Sequence, residues 1–430
     1  MLRAAKYAFK GEFNRNVLTL VAGTGIAQLI PLAVTPILAR IYDPGQFGIF
    51  SLFLAIVSSL SVMGTCRYEA AVILPSKDVD AINLVALAIS ISVAAFFALL
   101  LLMYVLNDSI CQNLGNSSIS ALLYLVPVAV LLNGLYISLN SWSNRNKLYT
   151  VMARRRILHS GGTSTVQLGL GVLNSGASGL VIGSISGQAI AAATMANMLW
   201  QRDPNCWRAV GYQHMWALAK RYRACIYFLT PAHTLSAVSI QLPAISINFA
   251  FGLNASGFFM LADRVINIPL SLISASIGDV FRQRISECYR TGEDCKQQFL
   301  STLRKLCAIA TPPLVVLAFF APPLFATVFG EKWRISGEYC QLMCPMLYLR
   351  FIGNPLSLIA IVAQKNRFEF IWQLALTVSL LLVALTQQLL ALQIKELIAV
   401  FVFIYVFFDI INLLASYRFA CAGDISDKQK

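Results

Sequence analysis

Residues 179–250 read GLVIGSISGQAIAAATMANMLW, then QRDPNCWRAVGYQHMWALAKRYR, then ACIYFLTPAHTLSAVSIQLPAISINFA, with the breaks after 200 and 223. Each outer block is an apolar run of the length a membrane helix needs, about 20 residues. The middle block carries Arg202, Arg208, Lys220, Arg221 and Arg223. Lys and Arg gathered between two apolar runs mark a loop kept on the cytoplasmic side. The chain therefore leaves the membrane at 200 and re-enters it at 224.

The same alternation continues in both directions. Apolar stretches run over 16–40, 46–73, 81–106, 119–141, 157–173, 179–200, 224–250, 255–280, 306–329, 336–363, 368–387 and 396–420. Of the 33 Lys and Arg residues, 27 lie in the amino tail, the even-numbered gaps and the carboxyl tail or at their edges. The gaps after spans 3, 5 and 7 hold none. The pattern predicts an all-α polytopic membrane protein of twelve transmembrane helices with both termini cytoplasmic. The expected organisation is a tail over 1–15, an N-lobe over 16–200, a basic linker over 201–223, a C-lobe over 224–420 and a second tail over 421–430. The basic start leads into a long apolar run with no small-residue cleavage site, which reads as an uncleaved start.

Composition fits that reading. Charged residues make up 12% of the chain and mean hydropathy is +0.70, against roughly 25% charged in a soluble domain. The net charge of +14 is spread over the cytoplasmic segments with no aromatic-basic cluster, which argues against nucleic acid and for anionic membrane lipids. Ten cysteines sit mostly in helices or on the cytoplasmic side, and Cys340 and Cys344 lack the companions of a zinc site. There is no H-E-x-x-H, no phosphate loop and no paired-carboxylate loop, so no enzyme is expected. The longest outside gap, about 107–119, is too short to carry catalysis.

Phe47-Gly48-Ile49-Phe50-Ser51-Leu52 and Ser256-Gly257-Phe258-Phe259-Met260-Leu261 open spans 2 and 8 at an offset of 209. Two halves of six spans share one orientation, as parallel repeats enclosing a central cavity do. Prolines inside spans 1, 7 and 9 bend helices, either as static packing or as hinges. The glycine-rich hairpin of spans 5 and 6 reads as close helix packing.

An ionisable group near the bilayer centre costs at least ~2.5–3.5 kcal/mol and persists where it meets a cavity or a partner. Arg264 lies nine residues into span 8, roughly 13 Å deep. Its helical stripe continues through Asn267, Ser271, Ser274 and Gly278, and two readings stand: a cavity lining or a buried ion pair. Span 7 presents Thr230, Thr234, Gln241 and Asn248, and span 1 presents Thr24, Gln28 and Thr35; lone Thr residues bond their own backbone, so Gln28 and Gln241 carry most of the signal. Arg350 and Asp409 sit mid-span, either paired with each other or binding an anion and a coupling H⁺ or Na⁺. Asp263 neutralises or packs beside Arg264. Arg40, Arg67 and Glu69 lie at span ends and either reach the interface or serve the site. His233 is structural or a proton carrier.

Three runs carry a family resemblance. Pro36-Ile37-Leu38-Ala39-Arg40-Ile41-Tyr42-Asp43-Pro44-Gly45-Gln46-Phe47-Gly48 resembles the "R-x-Y-x-P-x-x-F-G" segment of bacterial polysaccharide exporters. Arg67-Tyr68-Glu69-Ala70-Ala71-Val72-Ile73-Leu74-Pro75 is similar to their "RYE-x-A-x-x-LP", and Asp263-Arg264-Val265-Ile266-Asn267-Ile268-Pro269-Leu270-Ser271-Leu272-Ile273 to their "R-x-x-x-x-P-x-x-x-I". These are the Wzx-like O-antigen flippases of the multidrug/oligosaccharidyl-lipid/polysaccharide exporter superfamily. The resemblance implies a bacterial inner-membrane transporter that moves an undecaprenyl-pyrophosphate-linked oligosaccharide from the cytoplasmic to the periplasmic leaflet, beside other polysaccharide-assembly proteins. Arg264, Arg350, Arg40 and Arg67 would then meet pyrophosphate, Gln28, Gln241, Asn248 and Asn267 the sugars, and Asp409, Asp263 and Glu69 a coupling ion. Twelve spans rather than fourteen argue against the lipid II flippase branch. The alternatives are an ion-coupled multidrug antiporter, which would want an acidic cavity, and an O-antigen polymerase or ligase, which would want a long periplasmic loop.

Overall fold

Helix-forming apolar runs separated by short polar breaks produce helices and little else. A computed structural model describes residues 23–114, 119–202, 207, 209–223, 225–291, 295–363, 365–387 and 389–423. The expected amino tail, the first residues of span 1 and residues 424–430 lie outside the described residues. The helices are α1 (Gly23–Ile41), α2 (Pro44–Gly64), α3 (Tyr68–Ala71), α4 (Asp78–Leu114), α5 (Ser120–Leu123), α6 (Val126–Arg145), α7 (Tyr149–Val172) and α8 (Ala177–Arg202). There follow α9 (Tyr212–Arg221), a wide π-type turn (Cys225–Leu229), α10 (Thr230–Phe251), α11 (Leu253–Thr291), α12 (Cys295–Phe329), α13 (Arg334–Val362), α14 (Asn366–Thr386) and α15 (Ile394–Gly423). No strand occurs among the described residues.

Local chemistry sets the breaks. The Asp43 N–H donates to Gln46 Oε1 at 3.1 Å and Pro44 takes the first helical position of α2, a helix start closed by its own side chain. The Gln393 N–H donates to Glu396 Oε2 at 2.8 Å ahead of α15. Gly252 and Gly330, at φ 82° and 107°, end α10 and α12 in backbone that an L side chain resists.

Eleven helical stretches among the described residues are long and apolar enough to cross a membrane. The fifth expected span, 157–173, is helical as well, but no glycine or proline stops it and α7 runs back to Tyr149. It thereby takes in Arg154, Arg155 and Arg156, expected in a loop, and these with His159 lower its apolarity. Likewise α4 continues through the expected outer gap at 107 to Leu114.

The chain divides into two compact units. Among the described residues, one comprises 23–42 and 49–238 and the other 43–48 and 239–423. In the first, α7 lies along α8, and α6 packs on α4 and α8. A Cβ on Gly187 would overlap Thr163 Oγ1, and one on Gly183 would overlap the Gln167 side chain. The glycine stripe of α8 is the packing surface expected of it. Near the α2–α3 turn, Tyr68, Ile82, Leu84, Trp142, Leu199 and Leu218 form a buried apolar cluster.

In the second unit α13 is the hub, touching α11, α12 and α15. The two repeat glycines meet here. A Cβ on Gly48 would overlap the Leu253 carbonyl oxygen, and one on Gly257 the Pro44 carbonyl oxygen. Each glycine thus faces the carbonyl four residues before the other. Trp333, wholly buried, closes this crossing edge-on against Phe47 and Phe258, with ring centroids 5.1 and 5.8 Å away.

Candidate functional site

Helix α11 brings Arg264 into the interior of the second unit. Protein surrounds the guanidinium, yet it keeps accessible surface, and it makes no hydrogen bond or ion pair with any described residue. Adjacent Asp263 turns away and accepts a hydrogen bond from Asn267 Nδ2, so it does not neutralise Arg264. The buried ion pair considered for Arg264 is absent among the described residues. Its helical stripe is not one continuous open face. Ser274 is buried and donates to the Phe351 carbonyl at 3.3 Å, and Gly278 packs on Pro355 and Leu358 of α13.

Arg350 of α13 is held differently. Its guanidinium lies over the Tyr405 ring of α15, 4.0 Å from the centroid, a geometry in which the ring face stabilises the cation. Asp263 and Asp409 both feel its charge. Neither reaches ion-pairing distance, so the direct Arg350–Asp409 pair does not form. Asp409 Oδ2 is buried with no hydrogen-bond partner among the described residues.

Tyr405 connects Arg350 to a polar cluster that the sequence reading missed. Its hydroxyl donates to the Ser239 carbonyl at 2.8 Å. Ser239 Oγ meets Thr377 Oγ1 at 2.6 Å and accepts from Gln373 Nε2 at 3.1 Å. Four side chains from α10, α14 and α15 thus make one buried network. Farther along α10, Asn248 Oδ1 is buried without a partner, and Gln241 is half-buried.

In the first unit, Arg67 Nη1 pairs with Glu69 Oε1 at 3.1 Å, and its Nη2 meets His233 Nε2 at 3.3 Å. Gln28 Oε1 on α1 is buried without a partner, and Arg40 is exposed at the end of the same helix. Thr35 bonds its own backbone at Pro31, as lone Thr residues do. Arg155, buried on α7, was also missed. It stacks on the Tyr136 ring at 3.9 Å and donates to Asn140 Oδ1 at 2.9 Å.

These two units, helical without strands among the described residues and each carrying buried or half-buried arginines, have counterparts among solved structures. The inward closed conformation of the lipid II flippase MurJ aligns over 95% of this chain and 90% of its own, with TM-score 0.72 and 13% identity. An inward-facing multidrug resistance MATE family transporter of the MOP superfamily aligns over 93% and 96%, with TM-score 0.69 and 14% identity. At such identities the likeness is one of fold, and the class it defines is the polytopic helical membrane protein. Residues 37–337 match the polysaccharide biosynthesis protein family, and the chain belongs to that family. The lipopolysaccharide biosynthesis protein WzxC of Escherichia coli (strain K12) is 21% identical over 82% of this chain and 69% of its own length. The teichuronic acid biosynthesis protein TuaB of Bacillus subtilis (strain 168) is 21% identical over 52% of this chain, which spans less than half of it, 47%.

Proposed function

We propose that this protein is a flippase for undecaprenyl-pyrophosphate-linked oligosaccharide, an O-antigen or other surface-polysaccharide repeat unit. It carries the unit from the cytoplasmic to the periplasmic leaflet of a bacterial inner membrane, by alternating access of an N-lobe over 16–200 and a C-lobe over 224–420. The observation that carries this reading is Arg264. A guanidinium deep in a membrane protein, accessible and without an acid, is costly unless an anion visits it. Pyrophosphate offers the paired oxygens that a guanidinium fork matches. Arg350, already seated on Tyr405, adds a second fixed charge, and Arg40 and Arg67 serve entry. Gln28, Gln241, Asn248 and Asn267 supply weak polar partners for sugars. Asp409 and Asp263, close to Arg350 but unpaired with it, and Glu69 are assigned to ion coupling. The positive bias of the buried charges favours this reading over a cation antiporter, and family membership supports a polysaccharide substrate.

The test is transport of a fluorescent undecaprenyl-pyrophosphate-linked sugar between leaflets of liposomes holding the purified protein. Arg264→Ala is expected to slow movement at least ~10-fold while leaving the protein folded. Equal rates for wild type and variant would overturn the anion site, and failure of wild type under any ion gradient would overturn the flippase.

A further inference from the structure

Two consecutive non-glycine residues, Cys66 and Arg67, sit in left-handed backbone at φ 47° and 58°. Strained backbone persists where surrounding contacts hold it, and such residues gather at functional sites. What holds this turn is polar. Arg67 is clamped between Glu69, 3% exposed, and His233 at the start of α10. Glu69 Oε2 and Arg67 Nε are buried with no hydrogen-bond partner among the described residues, so both atoms can take another partner. The element that presents His233 is itself irregular. The π-type turn Cys225–Leu229 precedes it, pinned by the Thr230 hydroxyl donating to the Cys225 carbonyl at 2.9 Å. Wide turns of this kind recur at functional sites.

The chemistry of the contact fixes a protonation state. Arginine has only N–H donors, so His233 Nε2 must offer its lone pair, and the imidazole is neutral with its proton on Nδ1. An imidazolium has no lone pair at either nitrogen. Protonation therefore removes the acceptor and sets a second positive charge 3.3 Å from the guanidinium. Glu69 is the counter-charge within reach of both. The charged groups facing His233 are Arg67 and Glu69, with the thiols of Cys66 and Cys225 and the phenol of Tyr68 around them.

We propose that His233, Arg67 and Glu69 form a proton-binding site. Its occupancy decides whether the first turn of α10 stays tied to the α2–α3 turn or is released as His233 swaps Arg67 for Glu69. The ligand is H⁺, which deepens the transport reading above, and rests on it, by naming the coupling ion. His233 lies at the surface of its unit.

His233→Gln keeps a neutral acceptor for Arg67 and cannot titrate; His233→Asn is a second variant of the same kind. Hydrogen exchange of the peptide over 225–235 is compared at pH 7.5 and 5.5, on either side of the ordinary imidazole value of about 6.5. Exchange in wild type relative to His233→Gln is expected to rise several-fold at pH 5.5 and to match it at pH 7.5. In liposomes, flipping by wild type follows a pH gradient, and flipping by the Gln and Asn variants does not. Identical pH responses in wild type and both variants overturn the proton site and leave the flippase standing. A pH-dependent exchange step with no movement of lipid-linked sugar by any protein overturns the flippase and leaves the proton site standing.

Discussion

Arg264 and Arg350 are the same residue type at similar depth, and their surroundings separate them. Arg264 has no partner among the described residues, whereas Arg350 rests on an aromatic face 4.0 Å below it. Losing a hydrogen bond to a charged group costs about 1.5–3 kcal/mol, so Arg264→Ala should lower the flipping rate at least ~10-fold. Arg264→Lys, which keeps the charge and loses the fork, should fall between them in the liposome assay. Tyr405 permits a cleaner division. Tyr405→Phe removes only the hydroxyl that bonds the Ser239 carbonyl and should cost about 0.5–1.5 kcal/mol in thermal unfolding. Tyr405→Leu also removes the ring under Arg350 and should cost about 0.5–2 kcal/mol more; equal losses in the two variants would show that the cation–ring contact contributes nothing. The arginines were legible because a charge stands out in an apolar run. Ser239, Gln373, Thr377 and Tyr405 were not, because single hydroxyls and amides are ordinary in apolar helices. Only the approach of α10, α14 and α15 makes them a network.

Helix α7 and its partner α8 test how far small residues govern the elements. Gly161 of α7 has nothing within 4 Å of where a Cβ would stand, while at Gly187 of α8 a Cβ would overlap Thr163 and lie 2.7 Å from the His159 carbonyl oxygen. Gly161→Ala should stabilise the protein by about 0.5–1 kcal/mol, since alanine restricts the unfolded chain and favours helix. Gly187→Ala should destabilise by about 1–3 kcal/mol through overpacking. Opposite shifts in melting temperature are expected, and shifts of the same sign would mean that helix propensity, not close approach, sets this hairpin. Gly48→Ala and Gly257→Ala should resemble Gly187→Ala, because each drives a methyl into a backbone carbonyl. The sequence announced the helices themselves through their apolar length, and the two short runs matched at an offset of 209 meet in a reciprocal crossing. The helix ends were misplaced. Helices α4 and α7 run past the apolar stretches because Asn107 to Leu114 and Tyr149 to Arg156 contain no glycine or proline to stop them. Hydropathy reports where lipid is tolerated; helix breaking is a separate property.

For the molecule as a whole, the alternating Lys and Arg content of the gaps is a claim about sidedness, because basic loops resist translocation. Arg145 ends α6 and Lys147 lies in the gap after it, which is expected inside. There Arg145 donates to the carbonyls of Val72 and Pro75 at 3.2 and 2.6 Å and pairs with Asp78 at 2.9 Å, so it also anchors the loop after α3. The gap between α14 and α15 is expected outside, and Leu389 within it is 85% exposed. A large apolar side chain so exposed beside two membrane-length helices suits the outer interface. With the ten native cysteines replaced, Leu389→Cys should react with a membrane-impermeant maleimide on intact spheroplasts. Asn144→Cys, exposed on the last turn of α6, should react only after the membrane is opened. The reverse pattern would invert the whole topology and with it the direction of transport. Labelling of both sites from outside would instead break the odd–even order of the spans, and α7, the least apolar of the long helices, would be the place where the twelve-span count fails.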